Sequence, residues 1–191
     1  MSQTNEGRRK PRRAKKFRSQ ILAKWLIENF EPCRVADIGG GKGLLSYLLI
    51  KNGWKSVVID PEDQLLPTKY TSLEKKKVKI SDEDNDLVTR INEPFSKEMA
   101  KGFDLLVGLH AHGSNMLIID ACKEYDKDFL LIPCCVIDEP VIKEYGINWR
   151  ESLVEYAESK GFLVKKEKLN FMGKDIAIYS FNNLKPIKTL K

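Results

Sequence analysis

The run Val35-Ala36-Asp37-Ile38-Gly39-Gly40-Gly41-Lys42-Gly43 constrains this chain more than any other segment. An apolar stretch ends in four glycines within five positions, and a helical pattern begins at Leu44. A strand-to-helix turn of this kind needs glycine because the backbone must turn tightly and approach a ligand without Cβ interference. The helix that follows offers free N–H groups and a positive dipole end, suited to an anionic group such as a carboxylate. The dinucleotide fingerprint G-x-G-x-x-G does not fit, because its third glycine falls on Leu44 or Ser46, depending on the start. A second acid, Asp60, ends the next predicted strand. About 20 residues after the glycine turn is where Rossmann-like sites place a carboxylate on ribose hydroxyls, and an acid there disfavours a 2′-phosphate.

Strand and helix patterns alternate through the rest of the chain. A helix is expected from about Lys15, because Ile21, Leu22, Trp25, Leu26 and Phe30 recur at three- and four-residue spacing before Pro32. Strands are predicted at Arg34–Ile38, Ser56–Asp60, Val78–Ile80, Asp104–Leu109 and Phe129–Ile132. Helices are predicted at Leu44–Asn52, within Leu87–Ala100, and at Asn115–Tyr125 and Asn148–Lys160. Phe162–Leu169 and Asp175–Phe181 are placed to pair as an antiparallel hairpin. The expected fold is therefore α/β and Rossmann-like: a mostly parallel sheet with helices on both faces and a C-terminal antiparallel hairpin.

With 191 residues, one domain over 15–191 is expected, preceded by a basic arm over 1–14. No apolar run reaches the ~20 residues of a membrane span, and no apolar signal region opens the chain, so a cytoplasmic protein is expected. The formal net charge is +6, yet Arg8, Arg9, Lys10, Arg12, Arg13, Lys15, Lys16 and Arg18 supply eight positive charges with no acid between them. The remainder is thus slightly acidic. So local an excess points to a polyanion, nucleic acid ahead of a membrane surface or a merely solubilising tail.

Ligands of open α/β sheets sit beyond the carboxyl ends of the strands. Two such ends are chemically dense. Gly108-Leu109-His110-Ala111-His112-Gly113 holds both histidines of the chain, and Ile132-Pro133-Cys134-Cys135 holds two of its four cysteines. Three chemistries fit these candidates. A neutral imidazole at His110 or His112 can take a proton from a poorly nucleophilic hydroxyl. The four residues together have the ligand types of a zinc site, though not a standard spacing, and no metal is expected. A cysteine can instead attack a pyrimidine ring covalently.

Asp37, Gly39, Gly41 and Gly43 fill the pattern D-x-G-x-G-x-G, which resembles the first motif of class I S-adenosylmethionine-dependent methyltransferases. That resemblance implies S-adenosylmethionine as cofactor, with Asp37 orienting its methionine ammonium and Asp60 its ribose. With His110-Ala111-His112-Gly113 and Cys134-Cys135 added, the chain over about residues 20–180 is similar to the branch containing the tRNA acceptor-stem ribose 2′-O-methyltransferases. His112 stands where that branch usually has cysteine, and the branch's cysteine-rich N-terminal region has no counterpart. The chain also lacks the [D/N]-P-P-[Y/F] motif of base-amine methyltransferases after the fourth strand. The resemblance implies RNA methylation, ribose 2′-O favoured; the charge of the arm points to RNA bound there. A protein or small-molecule methyltransferase and a non-catalytic cofactor-binding scaffold stay open as alternatives.

Overall fold

The computed structural model describes residues 17–134, 139–140 and 148–187. The chain runs α1 (Arg18–Asn29), β1 (Arg34–Ile38), α2 (Leu44–Ile50), β2 (Lys55–Ile59), β3 (Lys69–Thr71), β4 (Lys77–Lys79) and α3 (Asp82–Asp86). It continues with β5 (Thr89–Ile91), a 3₁₀ turn (Lys97–Gly102), β6 (Leu105–Leu109), α4 (Asn115–Tyr125), β7 (Asp128–Ile132), α5 (Trp149–Ser159), β8 (Lys165–Lys168) and β9 (Ile176–Ser180). One seven-stranded sheet has the order β5-β2-β1-β6-β7-β9-β8. The first five strands pair in parallel, and β9 pairs antiparallel with both β7 and β8. This is the α/β architecture expected from the alternating patterns.

Period-2 alternation divides the central strands between two cores. Val35, Leu105 and Val107 face Leu22 and Leu26 of α1 and Leu45 and Leu49 of α2. Ala36, Ile38 and Leu106 face Ile118 and Ile119 of α4 and Leu153 of α5. All five residues of β6 and all five of β7 are buried, which is why Leu105–Leu109 and, after Asp128, Phe129–Ile132 read as apolar runs.

Two expectations need correction. Val78–Ile80 is not the third parallel strand. Lys77–Lys79 pairs antiparallel with Lys69–Thr71 in a separate two-stranded hairpin, and the sheet position beside β2 belongs to Thr89–Ile91. Lys-Val-Lys-Ile has the cleaner alternation, but β5 is an edge strand of only three residues, too short to leave a period. The helix expected within Leu87–Ala100 is likewise absent. Leu87 closes α3, β5 follows, and the only helical turn there is the 3₁₀ segment from Lys97. The first helix is described from Arg18, with Phe17 at its N-cap; its expected start at about Lys15 lies outside the described residues.

The basic residues from Arg8 to Lys16, and Cys135, lie outside the described residues; Arg18 opens α1. No helix among the described residues is long and apolar enough to cross a membrane.

Candidate active site

The carboxyl ends of β1, β2, β5, β6 and β7 open on the same side, and the hydrogen bonding between strands continues into the turns beyond them. Gly39 donates to the Ile59 carbonyl (2.8 Å), Asp60 to that of Ile91 (3.2 Å) and His110 to that of Ile132 (3.2 Å). The turns are thereby held in register with the sheet.

Asp37 is buried near the end of β1, where its Oδ2 accepts from the Ser46 hydroxyl at 3.0 Å; Ser46 in turn accepts from Ser56 at 2.9 Å. Its Oδ1 is buried with no hydrogen-bond partner. Burial pushes the Asp37 carboxyl up to about 6, against the pull of the Ser46 bonds. A buried, unpartnered carboxylate oxygen is costly unless something supplies a donor. Asp37 also lines a cavity of about 530 Å³ with Gly39, Gly41, Leu109, Arg18 and Gln64. A cationic ammonium in that cavity would supply both the donor and the charge, so the residues present fit the methionine end of S-adenosylmethionine.

The glycines do different jobs. Gly39 adopts φ +64°, and a Cβ there would lie 3.2 Å from Ala111 in the turn after β6, so the two turns touch. Gly40, in the motif's variable position, is the more constrained sterically. A Cβ on it would come within 2.7 Å of the Asp37 Cγ and 2.9 Å of the Asp37 carbonyl oxygen. Gly41 and Gly43 also have positive φ, the conformation the motif anticipated.

Asp60 anchors this turn. Its Oδ2 accepts from the Gly41 N–H and its Oδ1 from the Glu62 N–H, each at 2.9 Å. Arg90 holds the other side, donating to the Gly41 carbonyl (3.1 Å) and the Lys42 carbonyl (3.0 Å). Arg90 lies on β5, the strand the sequence pattern hid, so its role was hidden as well.

A second cavity of about 520 Å³ shares Gly39 and Gln64 with the first and is lined by Asp60, Phe95, His110 and His112. Each cavity is of the size that takes a small ligand. His110 is held at φ +64°, an uncommon conformation for a residue with a side chain. His112 Nε2 lies 3.0 Å from Cys134 Sγ, so two of the four chemically dense positions meet across the ends of β6 and β7. Among the described residues no group of three or more His, Cys, Asp or Glu is arranged to hold a metal. Of the other thiols, burial raises Cys33 to about 12 and Cys122 well above its ordinary value, so neither supplies thiolate near neutral pH.

Glu139 is a further residue that the sequence did not expose. It is buried, and its Oε1 accepts from the Asn115 N–H (2.9 Å) and side-chain amide (2.5 Å), its Oε2 from the Met116 N–H (3.2 Å). Ser114, the N-cap of α4, makes no side-chain cap, so this carboxylate from beyond β7 caps the helix. Asn115 also donates to the Ala111 carbonyl (3.0 Å), which ties down the turn carrying His112.

No protein-family model and no curated protein matches the sequence. Solved structures of methyltransferases share the fold. A precorrin-6y C5,15-methyltransferase from Geobacter metallireducens superposes with a TM-score of 0.52 at 14% identity, covering 86% of this chain and 87% of its own. A SAM-dependent methyltransferase from Archaeoglobus fulgidus gives 0.50 at 15% identity, with 85% and 91% covered. An O-methyltransferase family protein from Burkholderia thailandensis gives 0.51 at 12% identity, with 85% and 55% covered. The chain has the Rossmann-like fold of these proteins.

Proposed function

We propose that the chain is an S-adenosylmethionine-dependent methyltransferase acting on RNA, with a ribose 2′-hydroxyl as favoured acceptor and tRNA a plausible source of it. The observation that carries the methyltransferase reading is Asp37: a buried carboxylate with one unpartnered oxygen, set behind a glycine turn on the wall of a ligand-sized cavity. Asp37 would hold the cofactor's ammonium. Asp60, beside the second cavity, retains lone pairs for a ribose hydroxyl, and Phe95 offers an apolar wall for a base. The cofactor, when bound, supplies an electrophilic methyl group.

The chain's own contribution to chemistry is placement and a proton acceptor. His112 lines the second cavity and is positioned through its contact with Cys134, so it is the group best placed to take a hydroxyl proton. RNA as acceptor is supported by the acid-free basic run from Arg8 to Arg18, which would bind phosphates without reading bases. Incubation with methyl-labelled S-adenosylmethionine and total RNA, followed by nucleoside analysis, tests the whole reading. Label in 2′-O-methylnucleosides is expected. Label only in protein overturns the RNA assignment. Label on pyrimidine carbon 5, with a covalent adduct to 5-fluoropyrimidine RNA, would make Cys134 or Cys135 the nucleophile instead.

A further inference from the structure

The segment that misled the strand pattern carries a charge pattern of its own. Between Lys69 and Lys79 the chain has five lysines and a single acid, Glu74. In the β3–β4 hairpin Lys69 pairs directly with Lys79, and Thr71 with Lys77, while Tyr70 pairs with Val78. Paired residues share a face, so Lys69, Lys77 and Lys79 project together, opposite the side on which Tyr70 packs edge-on against Tyr47 of α2. All three lysines are exposed, as are Lys75 and Lys76 in the turn. Like charges directly across a strand pair oppose hairpin formation. None of the five forms an ion pair with a described residue. The acids of the adjoining α3 do not neutralise them by pairing; Asp84 is turned onto the Tyr47 hydroxyl (3.1 Å) and Lys51 (3.7 Å). Folding therefore gives no reason for this face.

Its position does. Arg18, Gln64 and Pro67 line the cavity beside Asp37, and Lys69 follows Pro67 by two residues, a Cα separation of at most about 7 Å. The hairpin is fixed to α1 through the Gln20 amide, which donates to the Thr71 carbonyl at 2.9 Å. Arg18, the last residue of the basic run, starts that same helix. Arg18 and Lys69, remote in sequence, thus both lie near one cavity.

We propose that the β3–β4 hairpin is a phosphate-backbone docking surface, on which Lys69, Lys77 and Lys79 hold RNA beside the cavity lined by Asp37. The proposal rests on the RNA reading above and adds a second, structured contact to the arm. Phosphate contacts of this kind position a nucleic acid without reading its sequence.

The test uses the full-length protein and fluorescently labelled unfractionated tRNA, with affinity measured across a salt series. K69A/K77A/K79A is expected to bind more weakly, its salt slope lower by about 2 to 3, since each phosphate contact contributes about 0.7–0.9. K69R/K77R/K79R is expected to restore both. In the unaltered protein, tRNA is expected to shield Lys69, Lys77 and Lys79 from acetylation, a readout that needs no variant to fold. Unchanged affinity and slope in the alanine variant, or equal acetylation with and without tRNA, overturns the hairpin surface alone. Protection by phosphatidylserine vesicles but not by tRNA overturns it in favour of a lipid surface. Failure of the unaltered protein to bind tRNA overturns the RNA reading as well.

Discussion

The turn after β1 and the turn after β6 join adjacent parallel strands to helices, touch each other at Gly39 and Ala111, and are filled in contrasting ways. In the first, the residues with positive φ are Gly39, Gly41 and Gly43, and side chains from elsewhere hold the backbone: Asp60 on the Gly41 N–H and Arg90 on the Gly41 and Lys42 carbonyls. In the second, positive φ falls on His110 as well as on Gly113, and the turn presents His112 to Cys134 while Glu139 caps the helix behind it. On the proposed function, the first turn would give up side chains so that a ligand can meet the backbone, and the second would place His112 for chemistry, with Glu139 securing the helix behind it. If so, binding and chemistry are separable, and substitutions in the two turns should fail differently.

The largest effect is expected in the second turn. His112→Ala should lower kcat by about 10²–10⁴-fold, the usual contribution of a general base, and leave S-adenosylmethionine binding intact when measured by calorimetry. A variant that keeps full turnover would pass the role to His110 or remove the proton acceptor from the account. In the first turn, Gly40→Ala drives a Cβ into the Asp37 carboxylate and carbonyl. Overpacking there should reduce stability by about 1–3 kcal/mol, read as a lower denaturant midpoint, and weaken cofactor binding together with it. Gly41→Val tests the backbone itself: a Cβ there would meet nothing nearer than Gln64 Nε2 at 3.9 Å, but a β-branched residue at φ +51° is strained, so cofactor binding and the denaturant midpoint should both fall.

Glu139→Ala leaves the Asn115 and Met116 N–H groups without their carboxylate. A destabilisation of about 1–3 kcal/mol is expected, with turnover falling more than cofactor affinity, because the turn that loosens is the one carrying His112. Equal losses in both would show that the cap serves the fold as a whole.

The glycine turn was legible in the sequence because its chemistry is local. Backbone access requires glycine, and the glycines with Asp37 just before them leave a contiguous signature. The parallel sheet was legible for a similar reason: β6 and β7 are buried along their full length and read as apolar runs. What stayed hidden was long-range or very short. Arg90 acts 49 residues from Gly41 and sits on a three-residue edge strand without a period. Glu139 caps a helix 24 residues before it, a contact no local pattern encodes. Gly40 occupies a position the motif leaves variable, and only the packing of Asp37 beneath it shows why a side chain does not fit. The exposed lysine hairpin passed as a parallel strand because alternation alone does not distinguish a sheet core from a surface ribbon.

The central claim is that a charged Asp37 holds the cofactor's ammonium, and the pH dependence of S-adenosylmethionine affinity tests it most directly. Burial raises the Asp37 carboxyl to about 6, so in the free protein it is neutral below that pH and charged above it. The folded value lies above the ordinary aspartate value of about 4, so this group's penalty on the unliganded fold grows as pH rises from about 4 to 6 and is complete above. A bound cation lowers the folded value again. Affinity in the unaltered protein should therefore rise by up to about tenfold per pH unit below 6 and level off above it. Asp37→Asn, in which nothing at that position titrates, should bind weakly with no such rise. Calorimetric titrations of both proteins between about pH 5 and 8 decide the matter. A rise that levels near 6 and is lost in Asp37→Asn is the predicted result. Equal affinity of the two proteins across that range, or a flat profile for the unaltered protein, would contradict the account.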